Sequence, residues 1–478
     1  MNFFVNAAMG LGNSGVEHAE FYRAARFEQA KLPYRFVFLD LIKELRAATA
    51  KWQLADERVL NLWEYCVFGG DYLTTGAAPT QAETSDLIID NTDTHRLRTT
   101  VTDTGMRIVE HLVKYPDQHH PDNPVLLVGT SRIELFAPNG ERKVMFELLD
   151  DVNRGSVLTN IHLFAERGQH RFFQNAVTLY QYFFAQLAAA YPGPSNWLID
   201  RGENTDEALV SARPANSHLL YMVHADQLAD RDDVRYPLWN NHYEYLLDHL
   251  TEFDRVVVAT ELQRQDLLVD FPTAGARVVA IPVGGVSDAA PAPRPARAAG
   301  PLRLITASRL ASEKHIDLAI RAVAAQHDSG QAVTFDIYGA GGEESKLRDL
   351  IKELKADDYI QLKGLSNTLA TVYPQYDAFI SASFSEGFGL TYIEALNAGL
   401  PVITLKARFG ALALIQDGVN GFLQDFKRDD ADYTVAQLQA GLTRAAASDL
   451  AGMATRASVA NYQDHVIAAK WRTLIDAL

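Results

Sequence analysis

Short apolar runs, bounded by glycine and polar turns, alternate with stretches of helical period over most of this chain. Residues 2–6 read as a strand, followed by a loop with Gly10, Gly12 and Gly15, a helix over 16–29 and a second strand over 34–40. That is the opening of a doubly wound α/β domain. From about 68 to 188 the period shortens towards two. Strands are predicted over 125–128, 131–136, 144–149 and 156–164, with Pro138-Asn139-Gly140-Glu141 as a hairpin turn. This reads as an antiparallel meander inserted into the first domain and closed by a helix over 172–190. The α/β alternation then resumes, with strands at 196–200, 219–224, 255–259 and 278–281 and helices at 243–250 and 261–268. Residues 288–300, rich in proline and alanine, read as a linker. A second α/β half follows, with strands at 302–307, 334–338, 359–362, 378–381, 401–404 and 421–423, and a last helix over 459–478 that carries Trp471.

Composition narrows the class. With 478 residues the chain has room for two or three domains. A formal net charge of −16 argues against nucleic acid as a general partner, since phosphate backbones need clustered Lys and Arg, and against broad adsorption to an anionic membrane. The single cysteine, Cys66, sits in an apolar run and reads as a buried structural thiol. No apolar run approaches the ~20 residues of a membrane helix, and the first residues lack the basic and apolar regions of a signal peptide. A cytoplasmic location is expected, with at most peripheral contact at the inner membrane face.

The chemistry concentrates in two strand-to-helix loops of the second half. In Ser385-Glu386-Gly387-Phe388-Gly389-Leu390-Thr391-Tyr392-Ile393-Glu394, one carboxylate stands on the loop and the other in the first turn or so of a helix. Open α/β sheets bind ligands along this edge, and glycines let backbone N–H groups approach an anion beside a helix start. The pattern suits a sugar held by its hydroxyls and a phosphate held by its oxygens. Upstream, Arg309 and Lys314 follow the strand over 302–307. A guanidinium that grips phosphate bidentately and an ammonium acting as a point charge can neutralise a departing diphosphate without a metal. Tyr338-Gly339 and Gly364-Leu365 open two more loops at strand ends and read as a nucleotide cradle. In the first half, Ser14 and Gly15 open a helix beside the glycine loop. His224 ends a strand and is a candidate donor-sugar contact; His242 is an acceptor-side candidate. Asp230-Arg231-Asp232 has the outline of a metal clamp but reads as a solvated loop.

Arg309 and Lys314, with Glu386 and Glu394 eight positions apart, resemble the donor-site signature of retaining glycosyltransferases of family 4, which have the GT-B fold. The segment from Asn13 to Ala24 resembles a subgroup of Gram-positive bacteria that contains the O-glycosyltransferase of serine-rich adhesins, from the accessory secretion system, and teichoic acid glycosyltransferases. The resemblance implies two Rossmann-like domains facing a cleft. It places the acceptor-side domain at 1–67 and 190–287, an added β-rich domain at 68–189, a nucleotide-sugar domain at 301–460, and a helix at 461–478 crossing back to the first domain. It implies transfer of GlcNAc or glucose from a UDP-sugar to Ser/Thr hydroxyls of a surface protein, with retention and without a metal or other cofactor. Glu386, Lys314, Arg309 and His224 are the implied catalytic set. Ser14, Gly15, Tyr338, Gly339, Gly364, Leu365, Gly387, Phe388, Gly389, Leu390 and Glu394 would bind the donor. Transfer to poly(glycerol phosphate) or poly(ribitol phosphate) teichoic acid is the alternative. A non-catalytic subunit that binds adhesin is a remote one, and a homo-oligomer or a partner subunit fits the resemblance.

Overall fold

Every residue of β1 (Asn2–Asn6) is buried, because its run Phe3-Phe4-Val5 is apolar on both faces. Such a strand belongs in the middle of a covered parallel sheet. It pairs in parallel with β2 (Tyr34–Phe38) on one side and β11 (Ser195–Ile199) on the other. With β3 (Val59–Asn61) beside β2 and β12 (Ser217–Val223) beside β11, the strands run in the order β12-β11-β1-β2-β3. The order reverses at β1, the topological switch point where ligands bind such sheets. The computed structural model describes residues 1–12, 15–89, 96–117, 126–151, 155–166, 168–230, 236–289, 300–366 and 368–478. The chain packs as two compact units. One contains residues 1–20, 32–222 and 241–256; the other contains residues 21–31, 223–240 and 257–478.

Within the first unit, a seven-stranded antiparallel sheet runs in sequence order from β4 (Thr84–Ile89) through β5 (Arg96–Val101), β6 (Arg107–Pro116), β7 (Leu126–Phe136), β8 (Arg142–Asp151) and β9 (Gly155–Glu166) to β10 (Gln169–Asn175). The meander expected from the sequence is there, with two corrections. The runs expected at 125–128 and 131–136 belong to one strand, β7, since Gly129 and Thr130 stay in register with Val113 and Leu112. The closing helix is Ala176–Ala190, and Phe172 and Phe173 belong to β10. Asn175 sets that boundary: its side chain accepts the Thr178 amide and caps the helix. Ile108, Leu135, Val144 and Ile161 fill the sheet's buried side, and Trp63 packs its ring on Phe146 at 4.5 Å. Cys66 is buried in the same unit, as its surroundings in the sequence require.

After the short antiparallel pair β13 (Leu228–Asp230) and β14 (Leu238–Trp239) come β15 (Arg255–Val258) and β16 (Val278–Ala280). The second unit holds a six-stranded sheet in the order β19-β18-β17-β20-β22-β24. Its strands are β17 (Leu302–Ala307), β18 (Val333–Tyr338), β19 (Ile360–Gly364), β20 (Ala378–Ile380), β22 (Val402–Leu405) and β24 (Gly421–Gln424). Two dipeptides, β21 (Ser385–Glu386) and β23 (Arg408–Phe409), form a separate parallel pair. After β17 comes a single 3-10 turn, Ser312–Lys314, followed by the helix Ile316–Asp328. His315, at φ 46°, separates them. The last helix is Asp464–Asp476, shorter than the expected 459–478 because Ala460–Tyr462 forms a 3-10 turn of its own. Asp464 accepts a hydrogen bond from Tyr22 at 2.8 Å, and Trp471, 2% exposed, faces Phe27 at 5.4 Å.

Candidate active site

The strand order decides which loops meet. β17 and β20 are parallel neighbours, with Leu304 beside Ala378 and Ile305 beside Phe379. The chain runs outward from β17 to β18 and β19 on one side, and from β20 to β22 and β24 on the other. The loops that leave β17 and β20 therefore flank the switch point of the second sheet. They are the loops carrying Arg309 and Lys314, and Glu386.

Lys314 and Glu386 meet there. Nζ donates to Oε2 at 2.9 Å, and each side chain is 20% exposed. Partial burial strengthens their attraction and still leaves both groups open to a ligand. The His315 ring stacks on Phe384 at 3.8 Å, which ties the same two loops together a second time. Arg309 projects into solvent, 64% exposed, in an ion pair with Glu313 at 2.7 Å. An exposed pair of this kind is worth at most about 1 kcal/mol, so an incoming phosphate can displace the carboxylate.

The backbone around Arg309 is held firmly. Ser308 N donates to Tyr338 O at 3.1 Å, Leu310 N to Ala340 O at 3.0 Å, and Glu343 N to Leu310 O at 3.0 Å. Gly339, at φ 144°, lies so close to the Ser308 carbonyl that no side chain fits. Gly339 N also donates to Gly364 O at 2.9 Å. Arg309, Tyr338, Gly339 and Gly364 thus sit on three loops bonded to one another, with Leu365 beside them and 74% exposed.

Glu394 is the fifth residue of the helix Leu390–Asn397, just past its first turn. It is solvent-accessible yet hemmed in by protein, so desolvation raises its carboxyl pKa, opposed by the hydrogen bond from Tyr373 Oη at 3.2 Å. Tyr392 anchors the helix to the sheet through Ser381 at 2.9 Å and Thr404 at 3.1 Å. Gly389 begins this helix, whose first amides have no intrahelical acceptors. The Phe388 ring is 3% exposed and packs near Tyr462, which leaves the backbone of this residue as the part facing the loop. Leu390 is partly buried, with its side chain against Gly284.

His224 follows β12 directly and belongs to the same compact unit as Glu386. A Cβ on Gly387 would come within 2.6 Å of the His224 carbonyl oxygen, so glycine permits this approach. Residues missed in the sequence hold it. Arg408 pairs with Ser385 across β21 and β23, while its guanidinium reaches Asp266 at 2.6 Å and Asp226 at 3.7 Å. Gln263 donates to Ala225 O at 2.8 Å. Neither residue belongs to a local motif; only the packing of three distant segments reveals their role. His242 lies in the first unit, exposed on the 3-10 turn Asn241–Tyr243, whose Tyr243 is buried. Gly15 starts the helix Gly15–Gln29, whereas Ser14, Arg231, Asp232 and residues 290–299 of the linker lie outside the described residues.

Residues 293–440 match the sequence family described as glycosyl transferases group 1. The GtfA subunit of UDP-N-acetylglucosamine–peptide N-acetylglucosaminyltransferase from Streptococcus gordonii is 31% identical over 454 residues, which cover 88% of this chain and 86% of that protein. The crystal structure of a GtfA/B complex aligns with 100% of this chain and 99% of its own, at TM-score 0.74 and 26% identity. The poly(ribitol-phosphate) alpha-N-acetylglucosaminyltransferase of Staphylococcus aureus is 23% identical over 64% of this chain and 60% of that protein. The fold is GT-B, with an inserted β-rich sheet.

Proposed function

The chain belongs to the group 1 glycosyl transferases, among the GtfA-type peptide N-acetylglucosaminyltransferases, and we propose that it transfers GlcNAc or glucose from a UDP-sugar to Ser/Thr hydroxyls of a polypeptide with retention of configuration. The observation that carries this reading is the Lys314–Glu386 pair at the switch point, with Arg309 and Glu394 on the flanking elements.

In this mechanism the donor's bond between C1 and the β-phosphate oxygen breaks as the acceptor oxygen bonds to C1 from the same face. The hydroxyl proton passes to the leaving diphosphate. Arg309 and Lys314 hold the negative charge growing on that diphosphate, so no metal is required. Glu386 accepts hydrogen bonds from donor hydroxyls and keeps Lys314 in place. Glu394 holds the ribose, and His224 contacts the sugar. The mobile donor makes a cytoplasmic enzyme the natural reading, and among the described residues no helix is long and apolar enough to cross a membrane. A partner subunit is part of the proposal, supported by the related GtfA/B complex.

Labelled UDP-GlcNAc and UDP-glucose, offered with a Ser/Thr-rich peptide or with poly(ribitol phosphate), test the reading. Transfer to peptide with an α-linked product supports it. Lys314→Ala and Glu386→Gln should each lower kcat by roughly 10²–10³, the range for loss of one preorganised charge stabiliser. Wild-type rates in either variant would remove these residues from the mechanism.

A further inference from the structure

The loops after β17 and β20 are tied by an ion pair and by a pair of rings, and the two ties differ in kind. Lys314 shares its ammonium with any anion that enters, so a diphosphate that engages Nζ weakens the hold of Glu386 on it. The contact between His315 and Phe384 meets no such competition. Its rings lie 3.8 Å apart and 24° from parallel. Phe384 is 9% exposed and belongs to the core of the second unit. It also stacks on Phe426, just beyond β24, at 4.9 Å and 26°. Three rings thus run from the end of β24, through the loop of Glu386, to the residue next to Lys314.

Position 315 makes two demands. Its backbone is left-handed, at φ 46° and ψ 41°, which ends the 3-10 turn carrying Lys314 and starts the helix Ile316–Asp328. His315 N donates to Ser312 O at 3.1 Å, and Leu318 N donates to His315 O at 3.0 Å, so this one residue joins turn to helix. Its side chain must also be a flat ring to lie on Phe384. Glycine and asparagine adopt such a backbone readily but bring no ring. Phenylalanine brings a ring, yet a bulky residue is an outlier in this region. Histidine meets both demands, since it is enriched among the non-glycine residues found there. Desolvation lowers the His315 pKa, with Asp317 and Glu313 opposing and the charge of Arg428 adding to the effect. The ring therefore stacks as an uncharged aromatic at neutral pH.

We infer that His315 is a positioning residue: its left-handed turn presents Lys314, and its ring keeps the Glu386 loop in place while Lys314 engages the diphosphate. The inference rests on the glycosyl-transfer reading above. His315→Asn keeps the turn and removes the ring. It should bind UDP within about twofold of wild type, by calorimetry, yet lower kcat by about tenfold or more with KM little changed. His315→Phe restores the ring and should bring kcat back to within about threefold of wild type, at a lower thermal midpoint. Phe384→Leu removes the same contact from the other side. It should match His315→Asn, and the double variant should be no slower than either single one. Wild-type kcat in His315→Asn, no rescue by His315→Phe, or multiplied losses in the double variant would each overturn the assignment. Hydrolysis of UDP-GlcNAc, with water as acceptor, gives the same ratios without a polypeptide. A wild-type chain that hydrolyses the donor and ignores peptide overturns the polypeptide reading alone. One that neither binds UDP nor acts on UDP-sugars overturns both.

Discussion

Asp206 is 1% exposed in the first turn of the helix Asn204–Ser211, and burial pushes its pKa up to about 7 from 3.8. Its Oδ1 accepts the Glu207 amide at 2.8 Å, which offsets only part of that cost. The folded state therefore holds a proton that the unfolded chain has lost between pH 4 and 7. Stability falls as pH rises through that window and is flat above it, a difference on the order of 4 kcal/mol. Asp206→Asn should be more stable than wild type by a few kcal/mol at pH 8 and equal to it near pH 4, measured by urea unfolding at both values. Residues of this kind were invisible in the sequence, where Asp206 is one acid among many. Lys314, Glu386 and Glu394 were visible because their chemistry stands in a fixed order along a strand, loop and helix. Phe388 shows the limit of such reading: the motif places the residue, but burial of the ring decides which of its atoms a ligand can touch.

Among the elements, the smallest decides the most. The dipeptides Ser385–Glu386 and Arg408–Phe409 pair in parallel, and Gly387 then passes against the His224 carbonyl. A methyl at Gly387 meets backbone at 2.6 Å, so the strand or the His224 turn must move. Gly387→Ala should cost about 1–3 kcal/mol in stability, as overpacking does. The same shift displaces Glu386, and kcat should fall more than tenfold while the fold persists; circular dichroism and steady-state kinetics check both. Longer elements were legible from periodicity, including β1, β2, β17 and the meander. Boundaries were not where a cap overrules periodicity. Asn175 starts its helix four residues later than the apolar pattern suggests, and His315 splits the turn of Lys314 from the helix that follows.

For the molecule as a whole, a nucleotide that binds only the native state must raise its stability. At a hundredfold excess over Kd, UDP should add about 2.7 kcal/mol and raise the thermal midpoint in a concentration-dependent way. Arg309→Ala and Lys314→Ala should each lose most of that shift, read by calorimetry. The net charge of −16 makes the local arrangement of cations important, since an acidic chain must gather them where a diphosphate docks. The sequence by itself determined the α/β class, the inserted antiparallel sheet and the candidate residues on which the proposed chemistry rests, because apolar period and loop chemistry are local properties. Only the tertiary structure decided that the loops after β17 and β20 are neighbours, that Arg408 and Gln263 hold the His224 turn, and that a cavity opens between the first parallel sheet and the meander. Strand order and side-chain packing join positions far apart in the chain, and no local pattern encodes which of them will touch.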